Sequence, residues 1–80
     1  MDWLTDVTGQ IASATGLDAD ALTPDDRDAE MLLDLAAIAA HASGARTNAP
    51  LLCHVLGRAA ALGASLDECA RVVRAHAGEG

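Results

Sequence analysis

The sequence has no lysine, no phenylalanine and no tyrosine, and Trp3 is its only tryptophan. Aromatics make up 1% of a chain that is 51% apolar, so its core has to be built from Leu, Val, Ile and Ala. The β-branched and aromatic residues that a sheet draws on are scarce. Nineteen alanines and eleven leucines favour helix instead. The longest apolar run, Leu35 to Ala40, falls far short of the roughly 20 residues a membrane helix needs. The opening Met1-Asp2-Trp3 is acidic where a secretory signal would be basic, which points to a cytoplasmic protein. Cys53 and Cys69 are then expected to be free thiols in a reducing compartment rather than a disulfide. A chain whose five cations are all arginine carries the coding bias of a GC-rich genome, which says nothing about function.

Eighty residues allow one domain, 1–80, and no second core. At this size only about 60% of the unfolded surface is buried on folding, so the margin of stability is thin. The net charge of −7 is unevenly placed. Residues 1–40 hold nine acids against Arg27, a balance of −8; residues 41–80 hold four arginines against three acids, a balance of +1. Phosphate backbones and anionic lipid repel such a chain, which argues against nucleic-acid and membrane partners even though Arg58, Arg71 and Arg74 fall on one surface.

Periodicity and capping signals predict an all-α, compact four-helix array over about 3–15, 24–43, 49–62 and 66–77. Asp2 caps the first helix, whose Trp3, Leu4, Val7, Ile11 and Ala14 share a face, and Gly16 with Leu17 gives a Schellman ending. Trp3 is expected to anchor that face in the core, with an exposed interface hot spot as the other reading. Asp18 to Leu22 is a connector with room for one helical turn. The second helix opens on Thr23 as N-cap with Pro24 at the first helical position, and Asp25 and Asp26 lie at its positive dipole end. It carries two apolar stripes, Met31-Leu35-Ile38-Ala42 and Ala29-Leu33-Ala36-Ala40, as a central, buried element would. Thr47 or Asn48 caps the third helix near Pro50, and Gly57 in its middle predicts the close approach of another helix. Ser65-Leu66-Asp67-Glu68 is a capping box for the fourth. The short links between the last three predict antiparallel neighbours.

Few constellations point to chemistry. Cys53 and His54 are adjacent on a helix and diverge by about 100°, which prevents simple shared chelation. Cys69 and His76 are two turns apart, roughly 10 Å along the axis. A metal or ligand site would have to assemble in three dimensions from His41 and the cysteines, and zinc accepts such donors. Cys69 reads more simply as a small core hydrophobe. A Cys–His catalytic pair lacks a Gly-rich turn or an orienting carboxylate pattern beside it. His76 near a helix C-terminus suits the dipole. His41, in the last turn of the second helix, is expected to cap that end or bond the following loop, with a partner contact as the other reading. The acids Asp18, Asp20, Asp25, Asp26, Asp28 and Glu30 lack calcium-loop spacing and read as a solvated face, or as a dock for a basic partner.

Several short stretches carry a resemblance. They are Met1-Asp2-Trp3-Leu4, Leu17-Asp18 with its Asp/Ala run, Leu32-Leu33-Asp34-Leu35-Ala36 with Ala40-His41, Ala49-Pro50-Leu51, and Leu56-Gly57-Arg58-Ala59-Ala60. Together they are similar to a family of small actinobacterial helical domains of unknown function. Its members are free-standing or form a C-terminal extension of molybdenum cofactor guanylyltransferase-like proteins. Leu52-Cys53-His54 stands where that family carries threonines and an aromatic residue, so Cys53 and His54 are not shared functional groups. The resemblance implies a non-catalytic accessory role in molybdenum cofactor handling or molybdoenzyme maturation, with a guanylyltransferase or molybdoenzyme component as protein partner. His41, Arg46, Pro50, Arg58 and Asp34 are the candidate partner or ligand surface. No catalytic residue and no cofactor is expected. Ala-rich faces with Gly57 are compatible with a homodimer, and a small metal- or ligand-binding protein using His41 and the cysteines is the alternative.

Overall fold

The computed structural model describes residues 2–78, so Met1 of the opening motif lies outside it. The chain forms α1 (Trp3–Thr15), α2 (Ala19–Leu22), α3 (Asp26–Ser43), α4 (Asn48–Ala61) and α5 (Leu66–His76). No strand occurs among the described residues. The all-α reading holds, and the four long helices fall within two residues of the boundaries drawn from the sequence. The connector around Asp18 closes as the single turn of α2.

Local chemistry fixes most of the helix ends. Asp2 accepts from the Thr5 N–H at 2.7 Å and starts α1. Gly16 at φ 75° lets Leu17 N–H reach back to Ala12 O at 3.1 Å, the Schellman bond expected there. Gly63 at φ 103° does the same for α4, where Ala64 N–H bonds Ala59 O at 2.9 Å. Ser65 accepts from Glu68 N–H at 3.3 Å, but the Glu68 carboxylate turns to Arg71 at 3.1 Å rather than closing the capping box. The start of α3 corrects the sequence reading. Asp25, not Thr23, is the N-cap, and it accepts from Asp28 N–H at 2.8 Å. The Thr23 hydroxyl instead donates to Ala19 O at 2.7 Å and closes α2, which leaves Pro24 just outside α3.

The centre of the fold is α3. It packs on both α4 and α5, and Leu35 from it, Leu56 from α4 and Ala70 from α5 form the buried cluster. Met31, Leu32, Ile38, Leu52, Leu66, Cys69 and Val73 close around them. Only one of the two α3 stripes is core, because Leu33 is 72% exposed. An exposed ion pair, Arg27 to Asp67 at 2.7 Å, ties the start of α3 to the start of α5. It also favours the charged guanidinium, holding the Arg27 pKa above its ordinary value through the hydrogen bond to Asp67.

At the other end of the chain, α1 packs against α2 and makes no such contact with α3, α4 or α5. The molecule is drawn out accordingly, at 40 × 25 × 19 Å. Its radius of gyration of 13.6 Å exceeds the roughly 12 Å typical of a closed domain of this length. Trp3 is therefore no core anchor: it is 77% exposed, because no element lies across the first turn of α1 to cover it. Gly57 is no point of close approach either, since a Cβ built there meets nothing within 4 Å.

Candidate functional site

Where the C-terminal end of α3, the N-terminal end of α4 and the C-terminal end of α5 meet, the three helices leave a groove of about 600 Å³. Its floor is apolar. Ile38 and Ala42 come from α3, Leu51, Leu52 and Val55 from α4, and Val72 and Val73 from α5. Each helix contributes by register. On α4, Leu52 and Leu56 turn to the core, so Leu51 and Val55, one position earlier, stand at the edge of the same face. On α5, Val73 packs inward and Val72 beside it does not. The result is a row of exposed branched side chains, with Leu51 at 63%, Val55 at 58% and Val72 at 58%.

The polar groups around the groove are Ser43, Asn48 and His76, and none of the lining residues is acidic. Ser43 is already engaged: its hydroxyl donates to Ala39 O at 2.6 Å, and its oxygen accepts from Ala45 N–H at 3.2 Å. It is thus Ser43, rather than His41, that fastens the end of α3. A second hollow, of about 380 Å³, lies between α3 and α5 and is lined by Met31, Asp67, Ala70, Arg71 and Arg74. Its charges are mutually occupied, with Arg71 on Glu68 at 3.1 Å and Arg74 4.0 Å from Asp34.

None of the five residues singled out in the sequence lines the groove. His41, Arg46 and Pro50 stand exposed around the same end of the bundle, in the last turn of α3, the connecting loop and the first turn of α4. Asp34 and Arg58 are exposed roughly 11 Å further along the helices. Cys53 and Cys69 are free thiols, both half-buried, and Cys69 packs on the core as a small hydrophobe. Among the described residues no three His, Cys, Asp or Glu side chains come together as a metal-holding group. No helix among them is long and apolar enough to cross a membrane.

A second unpartnered surface lies on α1. Trp3, Leu4 at 59% exposure and Ile11 at 49% fall on one side of the helix, with Val7 half-buried between them. No protein-family model, curated protein or solved structure matches the chain. The apolar residues of the groove and of the α1 stripe are all visible in the sequence, but not which of them stay uncovered. The usable signal was surplus: α4 carries Leu51, Leu52, Val55, Leu56, Ala59 and Leu62, more apolar side chains than two neighbouring helices can cover. Leu62, at 86% exposed, is the extreme case.

Proposed function

We propose that the protein is a non-catalytic interaction module that serves molybdenum cofactor handling or molybdoenzyme maturation. The observation that carries the first half is the apolar groove at the α3–α4–α5 end, an open concave surface with few polar groups at its edge. Isolated exposed apolar residues are ordinary on a protein surface. A contiguous concave row of them is the form that helix-binding surfaces take. The strongly acidic N-terminal half adds long-range steering towards a basic partner. The second half rests on the resemblance of the Met1–Leu4, Leu32–Ala36, Ala49–Leu51 and Leu56–Ala60 stretches to domains that extend guanylyltransferase-like proteins.

The test is genetic and biochemical together. Deletion of the encoding gene is expected to lower molybdoenzyme activity. The wild-type chain should restore that activity, and a chain carrying Val55→Asp in the groove should not. A tagged wild-type chain is expected to retain a guanylyltransferase or molybdoenzyme component that the Val55→Asp chain loses. Unaltered molybdoenzyme activity on deletion, with neither component retained, would refute the proposal.

A further inference from the structure

We propose that the groove is filled by α1 of a second copy of this chain, and that two copies exchange α1 helices reciprocally in a symmetric dimer. The inference rests on the reading of the protein as an interaction module: the dimer is the form that docks on the larger partner, so Val55→Asp loses that partner by breaking the dimer.

Four observations carry it. First, the chain contains both halves of a helix-in-groove contact. Leu4, Val7 and Ile11 are spaced i, i+3, i+7, as anchors for a groove are, with Trp3 beside them. Second, the lengths agree. Leu4 to Ile11 on α1 and Asn48 to Val55 along the groove wall each span eight residues, a rise of roughly 10 Å. Third, the charges agree. Asp2 and Asp6 flank the α1 stripe, whereas the groove lining has His76 and no acid, with His41 and Arg46 exposed at the same end. Fourth, α1 lacks cover. A helix of 13 residues is marginal on its own and is normally held by packing of its apolar face, yet here only the four-residue α2 lies against it.

Area decides for reciprocal exchange over one-way docking. Trp3, Leu4 and Ile11 together with Leu51, Val55 and Val72 leave on the order of 600 Å² exposed per protomer. One α1 in one groove would bury about that much in total. Two would bury roughly 1,200 Å², which reaches the lower edge of the range of specific, stable interfaces. A two-fold pair also closes on itself and leaves no free groove to propagate a fibre.

Trp3 makes the test direct, because it is the only fluorophore of its kind in the chain. The full chain is followed by sedimentation and by tryptophan emission over a wide concentration range. A species of twice the 8.1 kDa protomer mass is expected to form, with a blue shift of emission at the same midpoint. Ile11→Asp on α1 and Val55→Asp in the groove should each raise the dimer dissociation constant at least about thirtyfold. Mixed together, these two variants should recover a weaker pair, because one supplies an intact groove and the other an intact α1. The milder Ile11→Ala should give a smaller shift in the same direction, and unchanged helical ellipticity checks that each variant is folded. A protomer at every concentration with Trp3 in water overturns the proposal. So does a protomer with blue-shifted Trp3, which places α1 in its own groove. A dimer insensitive to Val55→Asp overturns it as well, since another face then holds the copies together. If the dimer fails while gene deletion still lowers molybdoenzyme activity, the module reading survives with its groove free for another partner. If the dimer forms and deletion has no effect, self-association stands and the maturation role falls.

Discussion

Replacing Gly57 by alanine is expected to stabilise the protein. Gly57 sits inside α4 with no positive φ, so alanine adopts its conformation without strain. A Cβ there meets nothing within 4 Å, so no neighbour has to move. What remains is the difference in helix propensity and in unfolded-chain entropy, about 1 kcal/mol in favour of alanine. For a domain of this size, 1 kcal/mol corresponds to a rise in melting temperature of about 4–8 °C. Thermal melts of wild type and Gly57→Ala, followed by far-UV ellipticity at low protein concentration, measure it. The concentration matters, because a dimer would add its own linkage to the melting temperature. An unchanged or lowered melting temperature would refute the reasoning. It would mean that something packs on Gly57 after all, as the sequence pattern first suggested.

Three further outcomes follow from the packing and the caps. Leu35→Ala removes the fully buried side chain at the centre of the fold, which costs about 2–5 kcal/mol; against the roughly 4–12 kcal/mol available to a domain of this length, urea titration should show a much lower midpoint or a largely unfolded chain. Ser65→Ala deletes the hydroxyl that caps α5 and should cost about 1 kcal/mol in the same assay, whereas Ser65→Asp should be close to neutral. Acid should fray α1 from its start: the bond from Thr5 N–H holds the Asp2 carboxyl below its ordinary 3.8, so the cap is fully present above that value and is lost as pH falls through the lowered one. The Thr5 amide, followed by NMR from pH 5 downward, should report that loss, and Asp2→Asn should abolish the pH dependence.

Much of this fold is written in short-range chemistry. Asp2, Gly16, Gly63 and Ser65 each bond as their sequence positions imply, because a cap depends only on residues within one turn. Leu35 at the centre of α3 follows from the density of apolar residues around it. Where two caps compete, the sequence is ambiguous. Thr23 and Asp25 both precede α3, and the choice turned on the Thr23 hydroxyl being taken up by α2. Periodicity also says which face of a helix is apolar and stays silent on what lies against it. Trp3 and Leu33 belong to well-formed stripes and are nonetheless 77% and 72% exposed. The groove escaped for the same reason. Leu51, Val55 and Val72 differ from core residues by one position in register, and that difference exists only once α3, α4 and α5 are assembled. The residues chosen from sequence were mostly polar or conformationally special, whereas the concave surface is made of ordinary aliphatic side chains.

The confinement of α1 to contacts with α2 has a consequence for how the unfolding of this chain has to be measured. In the dilute protomer, α1 can open without disturbing Leu35, Leu56 or Ala70, so the molecule holds two cooperative units of unequal strength. Amides of α1 should exchange with solvent through cheap local openings, and those flanking Leu35 only through global unfolding. Trp3 sits on the weaker unit and is already wet before it melts. Its emission is thus blind to the loss of the core, while ellipticity, dominated by α3, α4 and α5, reports mainly the core and carries the fraying of α1 only as a minor share. Two transitions that fail to coincide would then report a species with α1 open and the core intact, which the chain's own architecture populates.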